Sequence, residues 1–377
     1  MEEGGVCGNK LLKPFKNSKG ETIRQPINVF PYRPIKNIIN EFFLRPGFKK
    51  MVNHHKNREK KEGWYFDVYD GEMFDQLKDI YGIPFSEIEN ALQLTLNVDW
   101  FNPFDSGTYS CGAIYLSINN LPREERFKEE NIMLVGMMPG GQEASTTDMN
   151  NYLDVIVDDL LELYEGVEMK TDRHPEGMTA HAVLLMVNAD IPACRKVAGF
   201  LGHASAFACN RCDRRFEMED GKLNCVGGYQ LFESWKLKDN KSNREAASRW
   251  LNQKTPAGRK VVESETGTRY SALHRLAYFD VTRQCPPDPM HCLLLGTGIR
   301  MLKEWKTSGI LSNADMKKMQ DLADSVQLPC GFENLDKKIV GGFSGLKADA
   351  AKSWILLYSP YVLMGKSNNT TSNNYIC

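Results

Sequence analysis

Between residues 92 and 99, Leu92, Leu94, Leu96 and Val98 alternate with Gln93, Thr95, Asn97 and Asp99. A period of two places the four apolar side chains on one face of a strand and brings the Asp99 carboxylate out on the other. Trp100-Phe101-Asn102-Pro103-Phe104 should end that strand, because proline cannot donate to a ladder and pushes its predecessor out of helical space. Two more strands are expected over Ser110–Ile118 and Asn131–Met137, separated by the turn-rich Asn119-Asn120-Leu121-Pro122 and a charged stretch. From Asn151 to Tyr164 the rhythm changes. Tyr152, Leu153, Ile156, Leu160, Leu161 and Leu163 recur at helical spacing, and Gly166 stands where a C-terminal cap belongs. After a polar loop around residues 172–177, Ala180–Val187 is almost continuously apolar, as expected of a strand buried on both faces, and it runs into Asn188-Ala189-Asp190-Ile191-Pro192.

Three strands, a helix and a buried strand make up the order of a ribonuclease H-like α/β domain, with three antiparallel strands, a crossover helix and a parallel fourth strand. A right-handed crossover would set the first and fourth strands side by side, which makes Asp99 and Asp190 neighbours. Amphipathic stretches are also expected at Ile35–Leu44, in the lead-in, and at Arg244–Leu251, inside a polar, helix-leaning segment over residues 217–282.

Composition changes this picture little. With 42% hydrophobic and 25% charged residues in 377, the chain is of ordinary globular type, and its net charge of −1 gives no whole-molecule attraction to nucleic acid. DNA contacts would therefore have to come from local patches. The run His54-His55-Lys56-Asn57-Arg58-Glu59-Lys60-Lys61 is one such patch, more often a solvated surface than a phosphate contact. Ten cysteines would suggest disulfides in a secreted chain, but there is no N-terminal apolar run with a basic flank, so reduced thiols in an intracellular protein are expected. The longest apolar stretches fall short of the roughly 18 residues that a spanning helix needs, and no membrane partner is expected.

Several phrases together resemble the CACTA (En/Spm) transposases, particularly their fungal branch. They are Asp99-Trp100-Phe101-Asn102-Pro103-Phe104, Tyr109-Ser110-Cys111-Gly112-Ala113-Ile114-Tyr115, Asn120-Leu121-Pro122-Arg123, Asp190-Ile191-Pro192-Ala193, Gly199-Phe200-Leu201-Gly202-His203, Cys209-Asn210-Arg211-Cys212 and Asp288-Pro289-Met290-His291. A lone CxxC or Asn-Pro-Phe is weak, but seven phrases in the family's order, from about residue 26 to about residue 360, are specific. The resemblance implies a DDE-type nuclease and strand transferase that cuts element ends and joins their 3′ hydroxyls to target DNA. It also implies a nuclear location and, in an active protein, a homo-oligomer. Asp99 matches the family's first aspartate and Asp190 its second. Carboxylates suit this chemistry, since in-line attack on a phosphodiester uses two divalent cations, Mg²⁺ or Mn²⁺, and Mg²⁺ prefers hard oxygen ligands.

Cys209 and Cys212 have the spacing of a zinc hook. Two thiolates from one turn can reach one tetrahedral Zn²⁺, but two further ligands are needed. Asp288 and His291 form a second pair at the same spacing, and similar transposases carry such a pair before their final acid. The candidate zinc set is therefore Cys209, Cys212 and His291, with His203, Cys225 or Asp288 as the fourth ligand; buried thiols and a hydrogen-bonded histidine are the alternative. Arg211, Arg214 and Arg215 are candidate DNA contacts, and Arg244 and Arg249 could also touch phosphates.

The chain departs from the family at its ends. The last catalytic acid should be a glutamate on a helix beyond the D-x-x-H pair; Glu304 and Glu333 are available but lack the expected context, and the polar Lys366–Asn374 stretch follows instead. The expected division is a lead-in over 1–90, the first part of the ribonuclease H-like core over 91–200, an insertion with the Cys/His cluster over 201–287, a helical continuation over 288–365 and a polar disordered tail over 366–377. A chain truncated at both ends follows from the resemblance. So does the choice between a transposase, an inactive derivative, and a domesticated remnant that binds DNA or protein without catalysis. A metal-dependent nuclease of the same fold with another role is the remaining alternative.

Overall fold

The alternation at residues 92–99 produces the central strand of a five-stranded mixed sheet. In the computed structural model, which describes residues 12–104, 109–141, 143–172, 174–219, 222–224 and 229–363, a short hairpin, β1 (Leu12–Lys16) and β2 (Thr22–Pro26), comes first. The sheet then consists of β3 (Ala91–Phe101), β4 (Cys111–Ile118), β5 (Met133–Met138), β6 (Val167–Met169) and β7 (Met178–Val187), in the order β5-β4-β3-β7-β6. β3, β4 and β5 are antiparallel and β7 runs parallel to β3. This is the ribonuclease H-like α/β arrangement, and the first and fourth expected strands are neighbours. β3 continues two residues further than expected, through Trp100 and Phe101, because both still pair with Gly112 and Cys111 of β4.

One face of the sheet is apolar. Leu92, Leu94, Leu96 and Val98 of β3 and Ile114, Leu116 and Ile118 of β4 bury against two helices, α1 (Ile35–Phe43) and α2 (Thr146–Glu165). α2 starts five residues before the expected Asn151. Its first turn is polar, so no hydrophobic period marks it; a capping box does, with Ser145 Oγ accepting from the Asp148 amide at 3.2 Å and Asp148 Oδ2 accepting from the Ser145 amide at 3.3 Å. The helix stops at Gly166, whose φ of 107° suits a residue without a Cβ. Asp159, buried on α2, ties the two helices together by accepting from the Ile35 amide at 2.6 Å at the start of α1 and from the Tyr32 hydroxyl at 2.5 Å. A carboxylate at a helix N-terminus meets unpaired amides there, which makes its burial tolerable.

The other face is polar along β3 and only partly covered. At its start, Phe74, Tyr69 and Phe85 pack over Ala91, Val183 and Leu185. Asn119 and Asn120 answer the polar groups beneath them: Asn119 donates to the Gln93 carbonyl and to Thr95 Oγ1, and Asn120 Oδ1 accepts from the Gln93 amide at 2.6 Å. Exposure then rises along this row, from fully buried Gln93 through Thr95 and Asn97 to exposed Asp99.

β6 is too short to leave a period in the sequence and covers only the first residues of β7. Beyond it the edge of β7 is closed by residues 278–285: the Leu184 amide donates to the Tyr278 hydroxyl at 3.2 Å, the Val187 amide to the Gln284 carbonyl at 2.8 Å, and Gln284 Nε2 to the Leu185 carbonyl at 2.8 Å. These bonds remove the unpaired strand edge that would otherwise invite another chain.

The chain divides into two compact units, Met1–Pro286 and Pro287–Cys377. Within the first, α3 (Ile191–Ala198) follows β7, and α4 (Asn240–Leu251) pairs with α5 (Pro256–Thr266) in the segment expected to be helix-leaning. The second unit has its own core, built by Leu302 of α6 (Ile299–Thr307), Met316 and Met319 of α7 (Asn313–Asp324), and Ile339, Phe343, Trp354 and Tyr358. No helix among the described residues is long and apolar enough to cross a membrane.

Candidate functional site

The parallel pairing of β3 and β7 carries the chain towards Asp99 at the end of one strand and towards Asp190 beyond the end of its neighbour. Leu94 pairs with Leu184, a bulge follows, and Thr95 then pairs with Met186 and Leu96 with Val187. The Asn188 amide donates to the Leu96 carbonyl at 2.9 Å, so the parallel pattern runs on past the end of β7. Asp99 and Asp190 each lie three residues beyond the last paired residues, Leu96 and Val187. Ala189 packs with the apolar core, as Val98 does. Neighbouring strands lie about 4.8 Å apart, so two side chains at equal level on one face can reach a common ligand.

The two carboxylates are held differently. Asp99 is exposed within β3, opposite Ala113 of β4. Tyr115, two residues further along β4 on the same face, has its hydroxyl pushed up by burial and then by the Asp99 charge. Asp190 was expected at a strand end, but β7 stops at Val187 and Asp190 is the N-cap of α3: its Oδ1 accepts from the Ala193 amide at 2.7 Å. Pro192 in the first turn is the sequence signal for that helix, since proline fits where no intrahelical donor is needed. One oxygen of Asp190 is thus occupied by the cap and the other is not part of that bond.

Cys209 and Cys212 form a tight turn. Cys209 Sγ accepts from the backbone amides of Arg211 and Cys212, both at 3.3 Å. The turn is pinned to residues 236–238, where the Asp213 amide donates to the Lys236 carbonyl at 3.0 Å, the Lys238 amide to the Arg211 carbonyl at 2.9 Å and Lys238 Nζ to the Cys209 carbonyl at 2.9 Å. Burial pushes the Cys209 thiol up, but the two amides, Cys212 and the Lys238 ammonium outweigh it and leave the thiol below its usual value. Cys212 is raised, by burial and by its neighbour Cys209. A thiolate cradled by amides is the form that binds a metal.

Two ligands make half of a tetrahedral site. Among the described residues no group of three or more His, Cys, Asp and Glu side chains is gathered to hold a metal ion. His203 is exposed, and Cys225 lies outside the described residues. Asp288 and His291 belong to the second unit, where His291 Nδ1 donates to Asp288 Oδ2. Burial raises the Asp288 carboxyl, and the hydrogen bonds from His291 and from two backbone amides more than reverse this. Glu304 and Glu333 are exposed in the same unit.

A further pair was invisible in the sequence. Cys194 on α3 and Cys285 are neighbouring thiols in the main core, with Cys285 fully buried. Their spacing carries no motif, and only the fold joins them. Of the arginines, Arg211 donates to the Thr282 carbonyl at 2.6 Å and Arg214 lies 4.3 Å from the Trp235 ring centre, while Arg215 is exposed. Arg244 donates to the carbonyls of His274, Leu276 and Phe279, and Arg249 is paired with Glu265 at 2.6 Å. Arg211 and Arg244 therefore hold the protein's own backbone.

The sequence model of transposase family tnp2 matches residues 66–258, a span that contains both aspartates and the CxxC turn. No curated protein matches the chain.

Proposed function

With half its length matched, the chain belongs to the tnp2 transposase family, and we propose that it carries the DNA-cleaving and strand-transferring site of a CACTA-type DDE transposase, with Asp99 and Asp190 as two of the metal-holding carboxylates. The observation that supports this reading most is the parallel pairing of β3 and β7, since each aspartate follows three residues after the last paired residue of its own segment. Hard oxygen donors on a rigid sheet fit Mg²⁺ or Mn²⁺. A divalent cation bound there would supply an activated attacking oxygen and a stabilised leaving oxygen for in-line phosphoryl transfer.

The chain's own part is positioning. The sheet fixes Asp99 through its pairing with β4, the N-cap bond fixes Asp190, and the polar row of β3 becomes accessible only at its end, at Asn97 and Asp99, where a DNA backbone could approach. Cys209 and Cys212 are likewise proposed as a hook for Zn²⁺; no third ligand joins them among the described residues. A nuclear setting and a homo-oligomer belong to the same proposal.

Purified protein with element-end DNA, Mg²⁺ or Mn²⁺ and a target plasmid tests it. Nicking or joining that disappears in both Asp99→Asn and Asp190→Asn supports the reading, and cleavage indifferent to both substitutions refutes it. The alternative, a non-catalytic DNA- or protein-binding remnant, draws on one observation: Asp190 has a structural task as an N-cap that would keep it in place without catalysis. Metal-dependent stabilisation decides between the two.

A further inference from the structure

The basic run at residues 54–61 leads into Trp64-Tyr65-Phe66, three consecutive rings that are 53%, 76% and 54% exposed. Single exposed apolar side chains are common, but a contiguous aromatic cluster marks a binding surface. The cluster is held, not loose. Asp70 Oδ2 accepts from the Phe66 amide at 2.6 Å and the Asp67 amide at 2.9 Å, and Asp67 pairs with buried Arg126 at 2.8 Å. Trp64 and Phe66 stack with centroids 5.4 Å apart and planes 15° apart, and Lys61 Nζ sits 4.1 Å from the Trp64 ring centre.

Tyr65, between them in sequence, lines a cavity of about 280 Å³ with Met73, Phe74, Leu185, Met186 and Arg283. Met186 is the register partner of Thr95, on the sheet face that carries Asp99 four residues further along β3. At about 3.3 Å per residue the two points are roughly 13 Å apart. That is the length of about four nucleotides at the 3.4 Å spacing of a DNA strand. Arg58 and Lys60 are paired with Asp70 and Asp75. Lys61 and the exposed Arg283 make no ion pair among the described residues.

We propose that Trp64, Tyr65 and Phe66, with Lys61 and Arg283, form a stacking site for an unpaired base of the DNA strand that leads to the Asp99 and Asp190 face. The proposal rests on the transposase reading. Flat rings fit any base by its π-face, and two unpaired cations beside them suit its flanking phosphates. Stacking takes the larger share here, because Arg58 and Lys60, the other cations of the run beside the rings, are already neutralised by Asp70 and Asp75.

The test uses the full chain in EDTA, so that metal binding and cleavage play no part. Fluorescence anisotropy compares a blunt duplex with the same duplex bearing a short single-stranded tail, and 2-aminopurine in the tail reports stacking by quenching. The expected result is about tenfold tighter binding of the tailed DNA. Tyr65→Ala and Trp64→Ala abolish that preference and the quenching, and Tyr65→Phe retains both. Lys61→Ala lowers the salt slope by about one contact. Equal binding of blunt and tailed DNA, or a preference that survives Tyr65→Ala, overturns the stacking site and leaves the transposase reading standing. No binding to either DNA overturns both.

Discussion

Substitutions at Asp190 separate two tasks that one carboxylate performs. Its Oδ1 closes the first turn of α3 by accepting from Ala193, and its other oxygen is proposed to hold a cation. Asp190→Ala removes both. Loss of an N-cap costs about 1 kcal/mol, within a range of roughly 0.5–2. For a large domain each kcal/mol lowers Tm by about 2–4 °C. Asp190→Asn keeps the cap, since asparagine accepts the same bond, and loses only the attraction between the charge and the helix dipole, about 0.3–1 kcal/mol. Mg²⁺ at a hundred times its Kd would stabilise the wild-type fold by about 2.7 kcal/mol. The assay is thermal unfolding with and without MgCl₂. Wild type should shift upward by about 5 °C or more, as that stabilisation implies. Asp190→Asn should have a near-wild-type Tm in EDTA and no metal shift, and Asp190→Ala should start lower and also fail to respond. A full Mg²⁺ shift in Asp190→Asn would refute the reasoning and leave Asp190 with the cap alone.

His274 gives a pH prediction. Burial, opposed by a hydrogen bond to the Ser271 carbonyl and reinforced by the Arg244 charge, lowers it to about 4 from the usual 6.5, so the unfolded chain binds the proton first and stability falls by roughly 1.4 kcal/mol per unit as pH drops from 6.5 towards 4. Denaturant titrations between these pH values should show that slope, and His274→Gln should flatten it. Arg244→Ala should cost about 3 kcal/mol in the same titration, because three carbonyls lose a charged donor, and Arg244→Lys should recover only part of it. At neutral pH Cys209 should alkylate faster than Cys212 or Cys285, as its lowered and their raised thiol values require; protection of Cys209 by added Zn²⁺, lost in Cys212→Ser, would support the metal hook, and rates insensitive to zinc would count against it.

The parts of this molecule that were readable were those with a period. Leu92 to Val98 specify β3 by alternation, Ala180 to Val187 specify β7 by continuous apolarity, and together they imply that these two strands are neighbours. Three features carried weaker signals. The first turn of α2 is polar and announced only by Ser145 and Asp148 three residues apart; β6 has three residues, too few for any rhythm; and Asp190 reads as a strand end because the apolar run before it hides where the ladder stops. The chemistry of the cysteines divides in the same way. Cys209 and Cys212 are neighbours in sequence and were found, whereas Cys194 and Cys285 meet only because residues 278–285 close the edge of β7. The exposed rings at residues 64–66 were adjacent to a noticed basic run, but sequence does not say that a capping carboxylate, Asp70, fixes them in the open.

The bulge in β7 decides the parity of the site. Before it Leu94 pairs with Leu184, and after it Thr95 pairs with Met186, so the offset between the two strands grows by one. Leu185 and Met186 consequently both face the aromatic cluster around Phe74, where a regular strand would turn one of them away. Because side chains alternate, one residue more or fewer between Leu184 and Val187 would reverse the face on which the residues after it fall, and the proposed placing of Asp190 depends on that count. The identity of the side chains in that stretch can drift among apolar types, but their number cannot. On the proposed reading, a deletion of Leu185 should therefore remove any cleavage that depends on Asp190, without touching a single atom of either aspartate.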